Sequence, residues 1–283
     1  MRLPSKVVGL LSTTALALAA VVALPTAAHA ADTTCTVNGT STTDTTITGT
    51  AGNDDITCNT GVAAGTTIDA GGGNDTITIT DEDVAAGNAA ANLGTVDGGN
   101  GADTISIQGS RIDTQVGNLG TVNGGDGIDT INITGGAGVS RDGVTGSGGD
   151  GNGPGGIVNA GAGVDSIVIR GAGGPTQAGA GNQGTVDGGD GIDTINITGG
   201  HGVDVDGQNG AANGSNGTVN GGDLLDLIFL TGGAMDHGGR GPSNAGTVNG
   251  DGDGNQGGII HGGTCTFLPQ NTGTVINCIS VNG

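Results

Sequence analysis

The chain is 283 residues long, with 66 Gly, two Phe, no Trp or Tyr, and 27 carboxylates against six basic side chains, a net charge of −21. So acidic a balance excludes phosphate backbones and anionic lipid surfaces as partners, because both require cationic contacts. The shortage of large apolar side chains excludes a conventional globular core, and six Pro without a strict Gly-x-y register exclude a collagen helix.

At the N-terminus, Arg2 and Lys6 flank an apolar run from Val7 to Leu24 that closes in small residues and Ala28-His29-Ala30. A charged start, an apolar middle and an A-x-A end predict a secretory signal over residues 1–30 and an exported, extracellular chain. Ser12, Thr13 and Thr14 interrupt the run and Pro25 marks its end, which disfavours a membrane anchor. The remainder keeps four Arg and no Lys against 27 carboxylates, a net −23. Such self-repulsion strains a compact fold unless cations offset it, and this points to a metal.

From residue 45 onward the chain repeats itself. The units read GTVDGGNGADTISI (94–107), GTVNGGDGIDTINI (120–133), GIVNAGAGVDSIVI (156–169), GTVDGGDGIDTINI (184–197) and GTVNGGDLLDLIFL (217–230). Relatives lie at 48–57 and 65–79, and a decayed copy begins at Gly246. The marker positions Ile68, Val96, Val122, Val158, Val186, Val219 and Val248 recur about every 30 residues, which separates a repeat array from Gly-rich disorder. Within each unit, apolar residues alternate, as in Ile131 and Ile133, so they share one face of a strand. Stacked in parallel, such strands form aliphatic ladders that need no aromatic residues. The expected fold is therefore all-β: a parallel β-roll or β-helix solenoid with about 30 residues per coil and disulfide-stapled ends. Both a flat roll and a three-sided helix remain open, since the spacers have room for a third strand. Residues 31–64 are expected to hold an N-terminal cap and first repeat, 65–250 the solenoid, and 251–283 a C-terminal cap.

The segments Gly98–Ser106, Gly124–Asn132 and Gly188–Asn196 fit G-G-x-G-x-D-x-U-x at every defined position. They resemble the hemolysin-type (RTX) calcium-binding nonapeptide. The resemblance implies that glycine-rich turns bind Ca²⁺ through carbonyls and the Asp carboxylate, while the last three residues form the strand. It nominates Asp54, Asp75, Asp103, Asp129, Asp165, Asp193 and Asp226 as ligands of several ions, with Gly98, Gly124 and Gly188 opening the turns and Asp126 and Asp190 within them. Calcium prefers six to eight hard oxygens in flexible geometry, which such turns can supply. Asp and Asn are also good turn residues in their own right. Each unit here carries one nonapeptide and then a spacer, so calcium is expected along one edge with the spacers bulging from the other.

Four cysteines in an exported chain suggest disulfides, and their placement at the two ends of the array favours Cys35–Cys58 and Cys265–Cys278 as staples of the caps. His201, His237 and His261 stand in Gly-rich loops at no ligand spacing. Parallel β-helices can host polysaccharide-active enzymes, but without Lys, Tyr or Trp the chain lacks the cation and aromatic platforms such chemistry uses, so a non-catalytic role is expected. The expected function is a structural or adhesive extracellular module, with calcium and a cell-surface or matrix ligand as partners, no nucleic acid and no membrane. Outward Thr rows, with Thr95, Thr121, Thr185, Thr218 and Thr247 in one file and Thr104, Thr130 and Thr194 in another, form the alternative: an ice-binding or other surface-binding face.

Overall fold

A computed structural model of the chain describes residues 33–81, 89–111, 115–138, 146–202, 209–233 and 241–250, together with the backbone of strands Gly263–Leu268, Thr274–Ile276 and Cys278–Asn282. The expected signal segment lies outside the described residues. The described chain is all-β and contains no helix; none is present that could cross a membrane.

Along the chain, strands alternate between two large sheets. The first has nine strands, all parallel, in the order Thr46–Thr50, Thr67–Gly71, Thr95–Asn100, Thr121–Gly127, Ile157–Gly163, Thr185–Gly191, Thr218–Asn220, Thr247–Asn249 and Thr274–Ile276. The second has eleven: Thr40–Asp44, Thr33–Val37, Asp55–Cys58, Thr76–Thr80, Thr104–Gln108, Thr130–Thr134, Ser166–Arg170, Thr194–Thr198, Leu227–Thr231, Gly263–Leu268 and Cys278–Asn282. Only Thr33–Val37 runs antiparallel to its neighbours, pairing Thr40–Asp44 on one side and Asp55–Cys58 on the other. A turn at Asn38 and Gly39, both at positive φ, makes this hairpin possible. A disulfide joins Cys35 in Thr33–Val37 to Cys58 in the neighbouring strand Asp55–Cys58. The side chains of Cys265 and Cys278 are outside the described residues.

Register turns the sequence repeat into a core. Ile68, Val96, Val122, Val158, Val186, Val219 and Val248 are direct neighbours from strand to strand. Opposite them run Ile77, Ile105, Ile131, Ile167, Ile195 and Ile228, and beside these Ile79, Ile107, Ile133, Ile169, Ile197 and Leu230. All of these are buried, with the largest at 0–1% exposure. Two β-branched files facing one file give a narrow interior, which explains how so few large side chains suffice.

A third parallel file lies in the spacers. Ala90–Asn92 pairs with Val116–Asn118, and single bridges continue the line through Asn152, Asn182, Asn213 and Asn244. Two spacers thus contain a short third strand, and the others contribute single bridging residues. Between the two large sheets the chain turns through glycines at positive φ. In the fourth position of the nonapeptide, Gly101, Gly127, Gly163 and Gly191 have φ of 136–159°, and a Cβ on Gly127 would collide with the Gly101 carbonyl oxygen. Leu224 occupies the corresponding place in the last full copy and holds φ 78°.

Candidate functional site

The tight turn between consecutive strands of the two sheets carries each nonapeptide Asp inward, where the parallel register stacks it on its counterpart. All seven candidates enter one buried column: Asp54, Asp75, Asp103, Asp129, Asp165, Asp193 and Asp226 are each no more than 4% exposed. Each backbone N–H donates to Oδ1 of the next Asp along, from Asp54 to Asp75 (2.7 Å), Asp75 to Asp103 (2.7 Å), Asp103 to Asp129 (2.8 Å), Asp129 to Asp165 (2.7 Å), Asp165 to Asp193 (2.8 Å) and Asp193 to Asp226 (2.9 Å). Copies that depart from the nonapeptide keep their place: Ala70 and Ala160 replace the first Gly, and Leu224 the fourth, without removing Asp75, Asp165 or Asp226 from the column.

The second carboxylate oxygen has a different fate. Oδ2 of Asp75, Asp103, Asp129, Asp165 and Asp193 is buried and accepts no hydrogen bond. Gly98, Gly124 and Gly188 are buried directly alongside; a Cβ on any of them would stand 2.7 Å from Oδ2 of Asp103, Asp129 or Asp193 respectively. The same spot lies against a carbonyl oxygen of the next repeat, from Gly124, Ala160 or Gly221. Glycine here admits an oxygen-rich approach of backbone and carboxylate.

Burial pushes the carboxyls of Asp75, Asp103 and Asp165 above the ordinary carboxylate value. Asp129 and Asp193 are pushed up to about 6 by the same desolvation, opposed by the incoming N–H of the neighbouring repeat and reinforced by adjacent carboxylates. Asp54, at the N-terminal end, goes the other way. Thr50 donates its N–H (2.6 Å) and hydroxyl (2.9 Å) to Oδ2 and Asn38 donates its amide to Oδ1, which hold the carboxyl below its usual value.

Asp126 and Asp190 stand apart from the column. Both are exposed at the ends of nine-sheet strands, and Ala162 lies between them in register. Among the described residues, no three His, Cys, Asp or Glu side chains converge as a metal-holding group. A cation in the column would therefore be held by one or two carboxylates plus carbonyls, a donor set that suits a hard ion such as Ca²⁺ and not zinc. The Thr files also form: Thr95, Thr121, Thr185, Thr218 and Thr247 align but are broken by Ile157, and Thr104, Thr130 and Thr194 by Ser166.

A second buried polar column has no counterpart among the sequence-based expectations. Asn92, Asn118, Asn152, Asn182, Asn213 and Asn244 are wholly buried, each amide donating to the next Oδ1 at 2.8–2.9 Å. Most of their Oδ1 atoms also accept a glycine N–H two residues on, as at Gly94, Gly120, Gly184 and Gly246. The signal was present: Asn precedes the Gly-Thr-Val strand in nearly every repeat, as N-x-G or N-x-x-x-G. Set against known proteins, the chain matches no family model, no curated protein and no solved structure.

Proposed function

We propose that the chain is a secreted, calcium-stabilised parallel β-solenoid of the RTX-like kind, serving as a non-catalytic structural or adhesive module outside the cell. One observation carries the calcium reading: five successive buried carboxylates each retain an oxygen with no hydrogen-bond partner. A buried ionised carboxylate without a full set of partners costs several kcal/mol, so a row of them calls for a compensating cation. Divalent ions between repeats, spaced by ~4.8 Å, would supply that compensation and lower the carboxyl pKa values again. The nonapeptide resemblance and the glycine turns support Ca²⁺ specifically, because carbonyl-rich, irregular sites suit its flexible coordination better than the octahedral demand of Mg²⁺.

Alternation of strands between two parallel sheets, with a third file in the spacers, supports one solenoid coil per repeat. The A-x-A segment supports export, where free calcium is high enough to fill weak sites. The test is circular dichroism and calorimetric titration of the oxidised mature chain with calcium, using magnesium as control. The expected result is β-signal and thermal stability that rise with calcium around ~10⁻⁴–10⁻³ M, as in extracellular modules. Full β-signal in EDTA with no heat of calcium binding would overturn the reading and leave the column as proton-neutralised turns.

A further inference from the structure

Immediately before each column Asp, the fifth nonapeptide residue faces outward. In the first two copies it is Asn53 and Asn74, linked by hydrogen bonds from Asn74 N–H to Asn53 (2.9 Å) and from Ala102 N–H to Asn74 (3.0 Å). From Ala102 onward the file turns aliphatic: Ile128, Val164, Ile192 and Leu225, with Leu227 beside its end. These side chains lie in solvent, Ile128 at 63% exposure and Leu225 at 48%. Solvent-facing Ile, Val and Leu at four successive repeats form a continuous stripe, unlike the scattered apolar residues normal on a surface. A parallel file of exposed carboxylates, Asp126 and Asp190, runs two residues away.

We infer that this stripe is a docking ridge for a basic amphipathic helix of another protein. The geometry selects a helix. The ridge repeats every ~4.8 Å, close to the ~5.4 Å of one helical turn and far from the ~6.8 Å between same-face residues of an extended strand. Its four positions span roughly 14 Å, which matches about ten residues of helix. The charge selects a basic one, since Asp126 and Asp190 flank the ridge on one side. A second copy of this chain fits poorly, having four Arg and no Lys to meet those carboxylates once residues 1–30 are removed. The inference names the partner class of an adhesive module, but it rests on the stripe and requires no ion in the Asp column.

The experiment uses the mature chain in buffer where circular dichroism reports β-structure, and a labelled Lys/Leu amphipathic peptide of about eighteen residues, five helical turns, as probe, read by fluorescence anisotropy. Ile128→Asn with Ile192→Asn, which copies the Asn already tolerated at positions 53 and 74 of the file, is expected to weaken binding at least tenfold without changing the spectrum. Asp126→Asn with Asp190→Asn is expected to weaken it several-fold and flatten its salt dependence. Equal binding of a scrambled peptide of the same charge would reduce the effect to polyanion attraction and overturn the inference. So would no saturable binding at all, or sedimentation showing a homodimer that the Ile variants dissolve, which would make the ridge a self-interface.

Discussion

Two buried polar columns run the length of the same repeat array, one of Asn and one of Asp, and the chain solves them differently. In the Asn column each amide donates to the next repeat and to backbone carbonyls, and accepts from the previous repeat; Asn182 bonds Asn152, Asn213, Gly184 and Thr218. In the Asp column, Asp75 to Asp226 each accept the N–H of the neighbouring Asp through Oδ1, and five of these six leave Oδ2 unpartnered. Both columns share one register and the same burial, so position in the fold does not account for the contrast. A neutral amide both gives and takes, and can satisfy itself along a ladder; a carboxylate only accepts, and repeats itself as like charge. The Asn column is complete without a ligand, whereas the Asp column becomes complete only with a proton or a cation.

The largest effect is expected where the complete ladder is interrupted. Asn182→Ala removes one amide and strands the Asn152 donor, the Asn213 acceptor and the Gly184 N–H, and should cost roughly 3–5 kcal/mol in denaturant unfolding. A loss under about 1 kcal/mol would mean that water takes the place of the amide, and the contrast between columns would lose its basis.

The Asp column is expected to show itself in pH. Folded Asp129 and Asp193 hold their protons to about 6, against 3.8 for the ordinary carboxyl. The folded state therefore binds the proton more tightly, so metal-free stability should rise as pH falls from 7 through 6 and continue to gain toward 4. The gain is at most about 3 kcal/mol for each group, less where water reaches the column. In millimolar calcium the slope should reverse over this window, because protons then compete with the ion. Asp129→Asn should stabilise the metal-free protein at pH 7 and destabilise the calcium-loaded one. Matching pH profiles with and without calcium would remove the cation from the account.

The smallest effect concerns the turn that feeds the column. Leu224 holds φ 78° where the other copies use glycine, at 49% exposure, so its side chain gains little from burial. Leu224→Gly should raise stability by about 1 kcal/mol through relief of backbone strain, partly offset by the greater freedom of unfolded glycine. A decrease in Tm would show that the exposed leucine is held by a contact that outweighs the strain.

Period alone determined much of this protein. Alternating Ile at 131 and 133, and Val122 before a glycine turn, specify strands with one buried face, and their recurrence about every 30 residues specifies parallel stacking. The Asp column was equally legible, because one constant offset from the glycines places every Asp at the same point of the register. What only the tertiary structure decided depends on partners across repeats. The Asn column was hidden because N-x-G reads locally as a turn, and the amide-to-amide hydrogen bonds that make it a ladder link residues 26 to 34 apart. Asp126 and Asp190 lie three residues before Asp129 and Asp193 in the sequence, yet the register places the first pair at the surface and the second inside. The ridge of Ile128, Val164 and Ile192 likewise appears only when the register aligns single exposed residues that each look ordinary in the sequence.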